Sequence, residues 1–399
     1  MTPGILYISY DGMLEPLGQS QVLAYLERLA SGRQIHLISY EKTRDWRDSV
    51  RRVSTARRIS EAGIRWHPLR YHKSPTALAT AYDVAVGTAL AIALAWRHKL
   101  NIVHARSYVA ALIALGVKRA SGAKFLFDMR GLWADERVDG GLWPANGWLY
   151  RTSKSLERRF LKAADRVITL THASEEEIRR FEYLRDNAPP ISVIPTCADL
   201  DRFTIERPPA SDPFVLGYVG SVGTWYQLDD MLRCFNYLKE LESDAQLLVV
   251  NRDEKEHILD SASALGIDLS AIEIVAADHR EMPRLIGRMS AGMALIKPLY
   301  SKIASAPTKL AEYLGCGVPV LGNEGVGDMA AILNGRRVGV AVSDLSEPAL
   351  REGIGRLVGL SREQGLQERC RQVALELFTL ERGAARYAEA YQELLEGQR

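Results

Sequence analysis

The sequence predicts an α/β protein of two domains, each a mostly parallel β-sheet with helices on both faces. Three observations predict it. Short β-rich apolar runs alternate with helical patterns along the whole chain, the pattern of parallel sheets covered on both sides. The cycle restarts after residue 205, next to the polar, proline-rich stretch Arg207-Pro208-Pro209-Ala210-Ser211-Asp212-Pro213, which reads as a hinge or linker. The length, 399 residues, exceeds what a single core usually supports.

In the first half the strand candidates are Ile5–Ser9, Ile35–Ser39, Ile64–Pro68, Ile102–His104, Lys124–Phe127, Arg166–Thr171 and Ser192–Ile194. Gly18-Gln19-Ser20-Gln21 opens a helix whose apolar positions Val22, Leu23, Leu26 and Leu29 recur at helical spacing. In the second half they are Phe214–Val219, Gln246–Asn251, Ile272–Ala276, Gly292–Ile296, Val318–Gly322 and Gly339–Val342, with a helix over about Leu228–Leu241 and closing helices from about Ser361 to Glu396. The expected domains are residues 1–205 and 206–378, followed by a terminal helix, 379–399. Ligands of such sheets bind beyond the carboxyl ends of the strands, so two such domains imply a cleft between them.

Apolar residues make up 47% and charged residues 25%, a globular composition. The net charge of +2 demands no nucleic-acid partner. Cys197, Cys234, Cys316 and Cys370 are scattered without metal-ligand spacing, so no metal site or disulfide framework is expected and a reduced compartment is the simple reading. The start, MTPGILYISY, lacks the pattern of a signal peptide. In the most apolar stretch, Thr76–Lys99, the uncharged part Val84–Trp96 is shorter than the ~20 residues that cross a bilayer. It reads as a helix buried between layers or as a membrane-facing one. The basic residues before it, from Arg51 to Lys73, either face water or meet anionic lipid or phosphate.

Four loops are candidate sites. After the first strand, Ser9–Ser20 places Gly18 before a helix start, where backbone amides either receive an anion or form an ordinary turn. Gly217–Tyr226 ends a strand in close glycines, with Gly220, Ser221 and Gly223 preceding Trp225; its amides either cradle phosphate or the aromatics anchor the next helix. In Lys297–Leu321 a strand leads through a small-residue loop to a helix with Pro307 at its start. Glu312 stands one turn in, suited to accept hydrogen bonds from a sugar or ribose diol, and Lys302 and Lys309 either offset phosphate charge or face water. In Phe127–Arg137, Asp128 and Arg130 follow a hydrophobic strand directly, as a catalytic or acceptor site or as a structural ion pair. His104, Arg106 and His172 end other strands, where they line a cleft or serve structure.

The segment Pro307-Thr308-Lys309-Leu310-Ala311-Glu312-Tyr313-Leu314-Gly315-Cys316-Gly317-Val318-Pro319-Val320 resembles the donor-site motif of retaining glycosyltransferases of family 4, also called group 1. These have the two-Rossmann-domain GT-B architecture. Tyr218–Met231 is similar to the start of their second domain, Ile5–Leu29 to their first strand, loop and helix, and Asp128–Trp133 to a segment of bacterial polysaccharide transferases. The resemblance implies a terminal helix that crosses back to the first domain. It also implies transfer with retention from a nucleoside-diphosphate sugar, UDP- or GDP-linked, to a lipid-linked or oligosaccharide acceptor. It needs no cofactor or metal, and it places the protein in the cytoplasm or peripherally on the inner membrane face.

By that resemblance Glu312 matches the second glutamate of the family's Glu-x7-Glu motif, which binds the ribose. The first would fall at Ala304, and Ser221 stands where an Arg of the diphosphate clamp is frequent. Arg252, Lys297, Lys302 and Lys309 are the substitutes, Lys309 foremost. Arg130 matches the family's first-domain histidine. The candidate catalytic residues are therefore Arg130, Lys309, Asp128 and His104. The candidate donor contacts are Gly18, Gly220, Ser221, Gly223, Trp225, Arg252, Pro307, Thr308, Lys309, Leu310 and Glu312. A nucleotide-sugar 2-epimerase of the same architecture and a non-catalytic sugar-nucleotide scaffold are the alternatives.

Overall fold

A computed structural model describes residues 3–74, 76–206, 213–278 and 280–397. Of the expected linker, Arg207–Asp212 lies outside the described residues. The chain forms two compact units: residues up to Pro195 with the segment from Leu380 onward, and Thr196–Thr379. The change of unit thus falls before the Pro-rich stretch and not at residue 205. The reason is packing: Leu200 and Phe203 sit in the core of the second unit, and the Ala198 amide donates to the Phe378 carbonyl at 3.0 Å.

The first unit holds β1 (Gly4–Ser9), β2 (Gln34–Glu41), β3 (Arg65–Arg70), β4 (Ile102–Arg106), β5 (Lys124–Asp128), β6 (Arg166–Thr169) and β7 (Ile191–Val193) in the order β3-β2-β1-β4-β5-β6-β7. The second holds β8 (Val215–Val219), β9 (Gln246–Val250), β10 (Ile272–Val275), β11 (Ala291–Ala294), β12 (Val320–Asn323) and β13 (Gly339–Val342) in the order β10-β9-β8-β11-β12-β13. Pairing is parallel throughout both sheets; Ile5 on β1 aligns with Ile35 on one side and Ile102 on the other. Every expected strand is present. β1 and β8 occupy the same place in their sheets, at the point where strand order reverses. Connections leave in opposite directions there, which opens a crevice within each unit at the strands' carboxyl ends.

The first helix runs Pro16–Leu29, two residues earlier than expected, with one wide turn over Gln19–Leu23. The final helix, Leu380–Glu396, packs on it within the first unit: Tyr387 meets Tyr25 edge to face at 5.7 Å, and Arg28 pairs with Glu381 at 2.6 Å. In the second unit, separate apolar clusters cover the two faces of the sheet, one built with helix Thr308–Gly315 and the other with helix Leu228–Leu241.

Of the two expectations for this stretch, a helix buried between layers or a membrane-facing one, the helix Thr76–His98 departs from the first. It is long and apolar enough to span a membrane, yet only 28% of its most apolar window is buried. One side packs on β1, β2 and the helix Ser107–Ser121, and Leu78, Tyr82, Val86 and Trp96 remain exposed.

Candidate functional site

In the second unit, helix Thr308–Gly315 gathers the strongest candidates. Pro307, with an extended backbone (ψ 125°), is its N-cap, so the first helical residue is Thr308. The Leu310 amide returns to the Pro307 carbonyl at 3.1 Å, while those of Thr308 and Lys309 find no acceptor among the described residues. Two N–H groups at a helix start are therefore open, where the partial positive charge of the dipole is greatest. Leu310 is buried in the core and anchors the turn.

Lys309 is 7% exposed. Its Nζ donates to the Tyr218 hydroxyl at 3.1 Å and lies 3.8 Å from the centre of the Tyr226 ring and 4.2 Å from that of Tyr218. The ring faces supply negative potential for the ammonium in the absence of a carboxylate hydrogen bond. Burial still pulls the Lys309 pKa down, with the Glu312 charge opposing. Lys302 has a similar seat, its Nζ 3.7 Å from the centre of the Trp225 ring. Trp225 and Tyr226 thus serve as ring platforms for two buried lysines, Lys302 and Lys309.

Glu312 is 8% exposed and its carboxylate makes no hydrogen bond among the described residues. Burial pushes its pKa up, against the charges of Lys309 and Arg202. A desolvated carboxylate with open acceptor sites is costly and gains most from a ligand that brings hydroxyl donors.

Gly220 sits where β8 ends, with φ +114°. A Cβ there would be strained and would stand 3.3 Å from Lys309 Nζ, so glycine lets the ammonium approach the loop. Beyond it the Val222 amide and two carbonyls are held within the loop, while the Ser221, Gly223 and Thr224 amides find no acceptor among the described residues. Glu254 accepts from the Val222 amide at 2.9 Å, and Asn251 donates to the Gly220 carbonyl at 3.0 Å. The Ser221 carbonyl accepts from the Tyr218 hydroxyl, and Gly223 accepts from the Trp225 amide at 2.6 Å. Arg252 is exposed and donates to the Ala277 carbonyl at 3.0 Å, so its charge is directed elsewhere than the Lys309 cluster.

In the first unit the loop after β1 is closed in the same way. Glu41 accepts from the Met13 amide at 2.8 Å and the Leu14 amide at 3.1 Å. The carboxylate holds the loop just ahead of the helix start at Pro16 and not the helix-start amides near Gly18. Gly18 serves close packing: a Cβ would stand 2.0 Å from the Gly12 carbonyl oxygen.

Asp128 ends β5 with no exposed surface. It accepts from the Tyr387 hydroxyl at 2.9 Å, with His104 Nε2 at 3.5 Å, Arg106 at 3.9 Å and Arg130 at 4.0 Å. Burial raises its pKa, but Arg130, His104 and Arg106 outweigh burial and hold it below the ordinary carboxylate value. His104 is fully buried; its Nδ1 pairs with the Tyr391 hydroxyl at 2.7 Å and its ring lies 4.2 Å from that of Tyr7. Burial lowers its pKa, which keeps it neutral. Both residues hold the final helix to the sheet. Arg130 has a backbone φ of +59°, rare without glycine and a mark of stored strain. Arg106 is 5% exposed, and its Nε and Nη1 find no hydrogen-bond partner among the described residues. His172 starts the helix His172–Arg180 and is largely exposed.

Residues 19–197 match the family model described as Glycosyl transferase 4-like domain. No curated protein sequence matches the chain. Among solved structures, sucrose-phosphate synthase of Thermosynechococcus elongatus superposes with a TM-score of 0.72 at 15% identity, covering 99% of this chain and 100% of that one. A glycosyltransferase from Rickettsia africae gives 0.69 at 16% identity, with 99% of each chain covered. HepE of Anabaena, in complex with UDP-glucose, gives 0.67 at 12%, with 98% and 99% covered. The chain has the GT-B fold.

Within this GT-B chain the second-unit candidates Pro307, Thr308, Lys309, Leu310, Glu312, Gly220 and Trp225 belong to one neighbourhood, and Arg130, Asp128 and His104 to another in the first unit. Arg252 and Gly18 join neither group of open polar atoms. Sequence reasoning missed Glu41, Glu254, Tyr387 and Tyr391, and it placed Tyr218 in the Gly217–Tyr226 loop without a role. The tyrosines stand at core-like positions, and no motif marks the two glutamates. Among the described residues no group of three or more His, Cys, Asp or Glu is placed to hold a metal ion.

Proposed function

We propose that the chain is a retaining glycosyltransferase that moves a sugar from a nucleoside-diphosphate sugar, UDP- or GDP-linked, to a polyprenyl-linked glycan in surface-polysaccharide assembly. The observation that carries this reading is Glu312, a buried carboxylate without a hydrogen-bond partner among the described residues, on a helix whose first two amides are open. A ribose diol offers the two hydroxyl donors that such a carboxylate lacks. The match of residues 19–197 to a glycosyl transferase 4-like domain and the GT-B fold support it.

As the glycosidic bond to the diphosphate lengthens, the anomeric carbon gains oxocarbenium character and negative charge builds on the departing phosphate. Lys309, the Thr308 and Lys309 amides and Lys302 stabilise that charge from fixed positions. A diphosphate beside Lys309 also restores the protonation that burial opposes. The departing phosphate itself takes the proton of the acceptor hydroxyl, so no side-chain nucleophile is assigned. Arg130 presents the first unit's cation to the acceptor side, and Asp128 and His104 act as positioning residues beneath it.

The test is a donor screen that reads nucleoside-diphosphate release with extracted polyprenyl-linked glycans present, followed by determination of the product's anomeric configuration. Acceptor-dependent release with retention is expected. An epimerised nucleotide sugar formed without acceptor would replace this reading with the epimerase. Binding of a nucleoside diphosphate without turnover on any acceptor would replace it with the scaffold.

A further inference from the structure

We infer that one face of the first unit docks on an anionic phospholipid bilayer, lying on the membrane without crossing it. Three helices lie side by side over the sheet. Thr76–His98 packs on β1 and β2, Ser107–Ser121 on β1, β4 and β5, and Trp148–Ala163 on β5, with the middle helix touching both others. The outer surface of this layer carries two unlike stripes.

The first stripe is apolar. On Thr76–His98 the outward side chains are Leu78, Tyr82, Val86 and Trp96, exposed by 72, 59, 37 and 62%, with exposed alanines at 81, 85, 89 and 93. Steps of three and four residues place them along one side. From Thr76 to Trp96 the helix carries one acidic or basic residue, Asp83, which is buried and bonded to Tyr10 at 2.9 Å and His72 at 2.6 Å. The outward side is thus uncharged for about 30 Å. Exposed Arg97 and Lys99 close its end.

The second stripe is cationic. Helix Trp148–Ala163 exposes Arg151, Arg158, Arg159 and Lys162, while its one acid, Glu157, is buried against Tyr108 and Lys154. Arg119, Arg158, Arg159 and Lys162 line an open depression of about 400 Å³. Arg119 adjoins Ala120, whose carbonyl accepts from the Trp96 indole at 3.0 Å, so the depression begins beside the tryptophan that ends the apolar stripe.

The charge pattern selects the occupant. Anionic headgroup phosphates match the exposed cations, acyl chains match the uncharged stripe, and tryptophan suits the boundary between them. Packing of the helix's inner side on the sheet keeps it parallel to the surface. This inference rests on the first unit's surface alone and stands or falls separately from the donor site.

Flotation of the full chain with vesicles tests it. The protein is expected to float with phosphatidylcholine vesicles containing phosphatidylglycerol and to remain behind with phosphatidylcholine alone. The double variant Leu78→Glu, Tyr82→Glu and the triple variant Arg158→Glu, Arg159→Glu, Lys162→Glu should each lower partitioning by about tenfold or more. As a check that needs neither variant, brominated phosphatidylglycerol should quench the tryptophan fluorescence of the unaltered chain, and Trp96→Phe should remove much of that quenching. Failure to float with anionic vesicles, equal binding to neutral ones, or unchanged binding in both folded variants would overturn the inference. Self-association that Leu78→Glu abolishes, without vesicle binding, would assign the face to a second copy of the chain and overturn it as well.

Discussion

Glu254 Oε2 stands 2.9 Å from the backbone nitrogen of Val222 and accepts its hydrogen bond. Asn251 completes the clasp, donating to the same carboxylate at 2.8 Å and to the Gly220 carbonyl at 3.0 Å. In the other unit Glu41 holds Met13 and Leu14 likewise. In each case a carboxylate at or just beyond the end of the neighbouring strand closes the loop after the sheet's first strand. The first unit's loop is closed on itself; in the second, the Ser221, Gly223 and Thr224 amides, like those of Thr308 and Lys309, find no acceptor among the described residues.

Glu254→Ala should therefore loosen the loop without removing a donor contact. Stability should fall by about 1–2 kcal/mol, the cost of orphaning buried donors. The Val222 amide should exchange faster with deuterium. Nucleoside-diphosphate affinity should change by less than about threefold. Hydrogen exchange and a titration of the variant read both.

Lys309 is retained at a cost to stability. Lys309→Met keeps the volume and removes a desolvated ammonium, so it should raise stability by about 1 kcal/mol while lowering turnover at least about tenfold. Lys309→Arg keeps the cation at all accessible pH. Burial lowers the Lys309 pKa, so the active ammonium is lost as pH rises through that lowered value. The alkaline limb of the kcat/KM profile should move upward in Lys309→Arg. An unmoved limb would separate Lys309 from the titration.

Glu312→Ala removes a buried carboxylate that has no hydrogen bond to lose among the described residues. The donor KM should rise about tenfold to hundredfold, one or two hydrogen bonds to a charged group, while thermal stability is unchanged or raised. A drop in stability with unchanged KM would make Glu312 a structural residue.

His36, His67 and His98 form a cluster on the first unit. His36 Nδ1 lies 3.0 Å from His67 Nε2, and its ring is 4.3 Å from that of His98. Burial first, then His98, His67 and Arg65, holds His36 down to about 4 from 6.5; burial also lowers His67. The folded state thus resists protonation. Its stability contribution is complete above pH 6.5 and is lost as pH falls from 6.5 towards 4. Thermal melts across that window should show a decline that His36→Gln flattens.

The sheets were legible because buried parallel strands are continuous apolar runs, such as Ile5–Ser9 and Gln246–Asn251, bounded by polar turns. The motif around Glu312 was legible because a proline and two glycines punctuate it. Other features depend on distant contacts. His104 and Asp128 gave no sign that Tyr391 and Tyr387 would cover them from the far end of the chain. Thr76–His98 read either as a buried helix or as a membrane-facing one because composition does not say which side faces a sheet. Trp225 looked like a core anchor or a ligand contact, and its actual partner, Lys302, comes from another loop.

On the proposed reading, a nucleoside diphosphate engages the start of helix Thr308–Gly315 and Glu312. Calorimetric titration of UDP and of GDP into the unaltered chain, Glu312→Ala and Lys309→Met tests it most directly. At least one diphosphate is expected to bind, and each substitution to weaken binding by about tenfold or more. Equal binding to all three proteins, or no binding of either nucleotide to the unaltered chain, would contradict it.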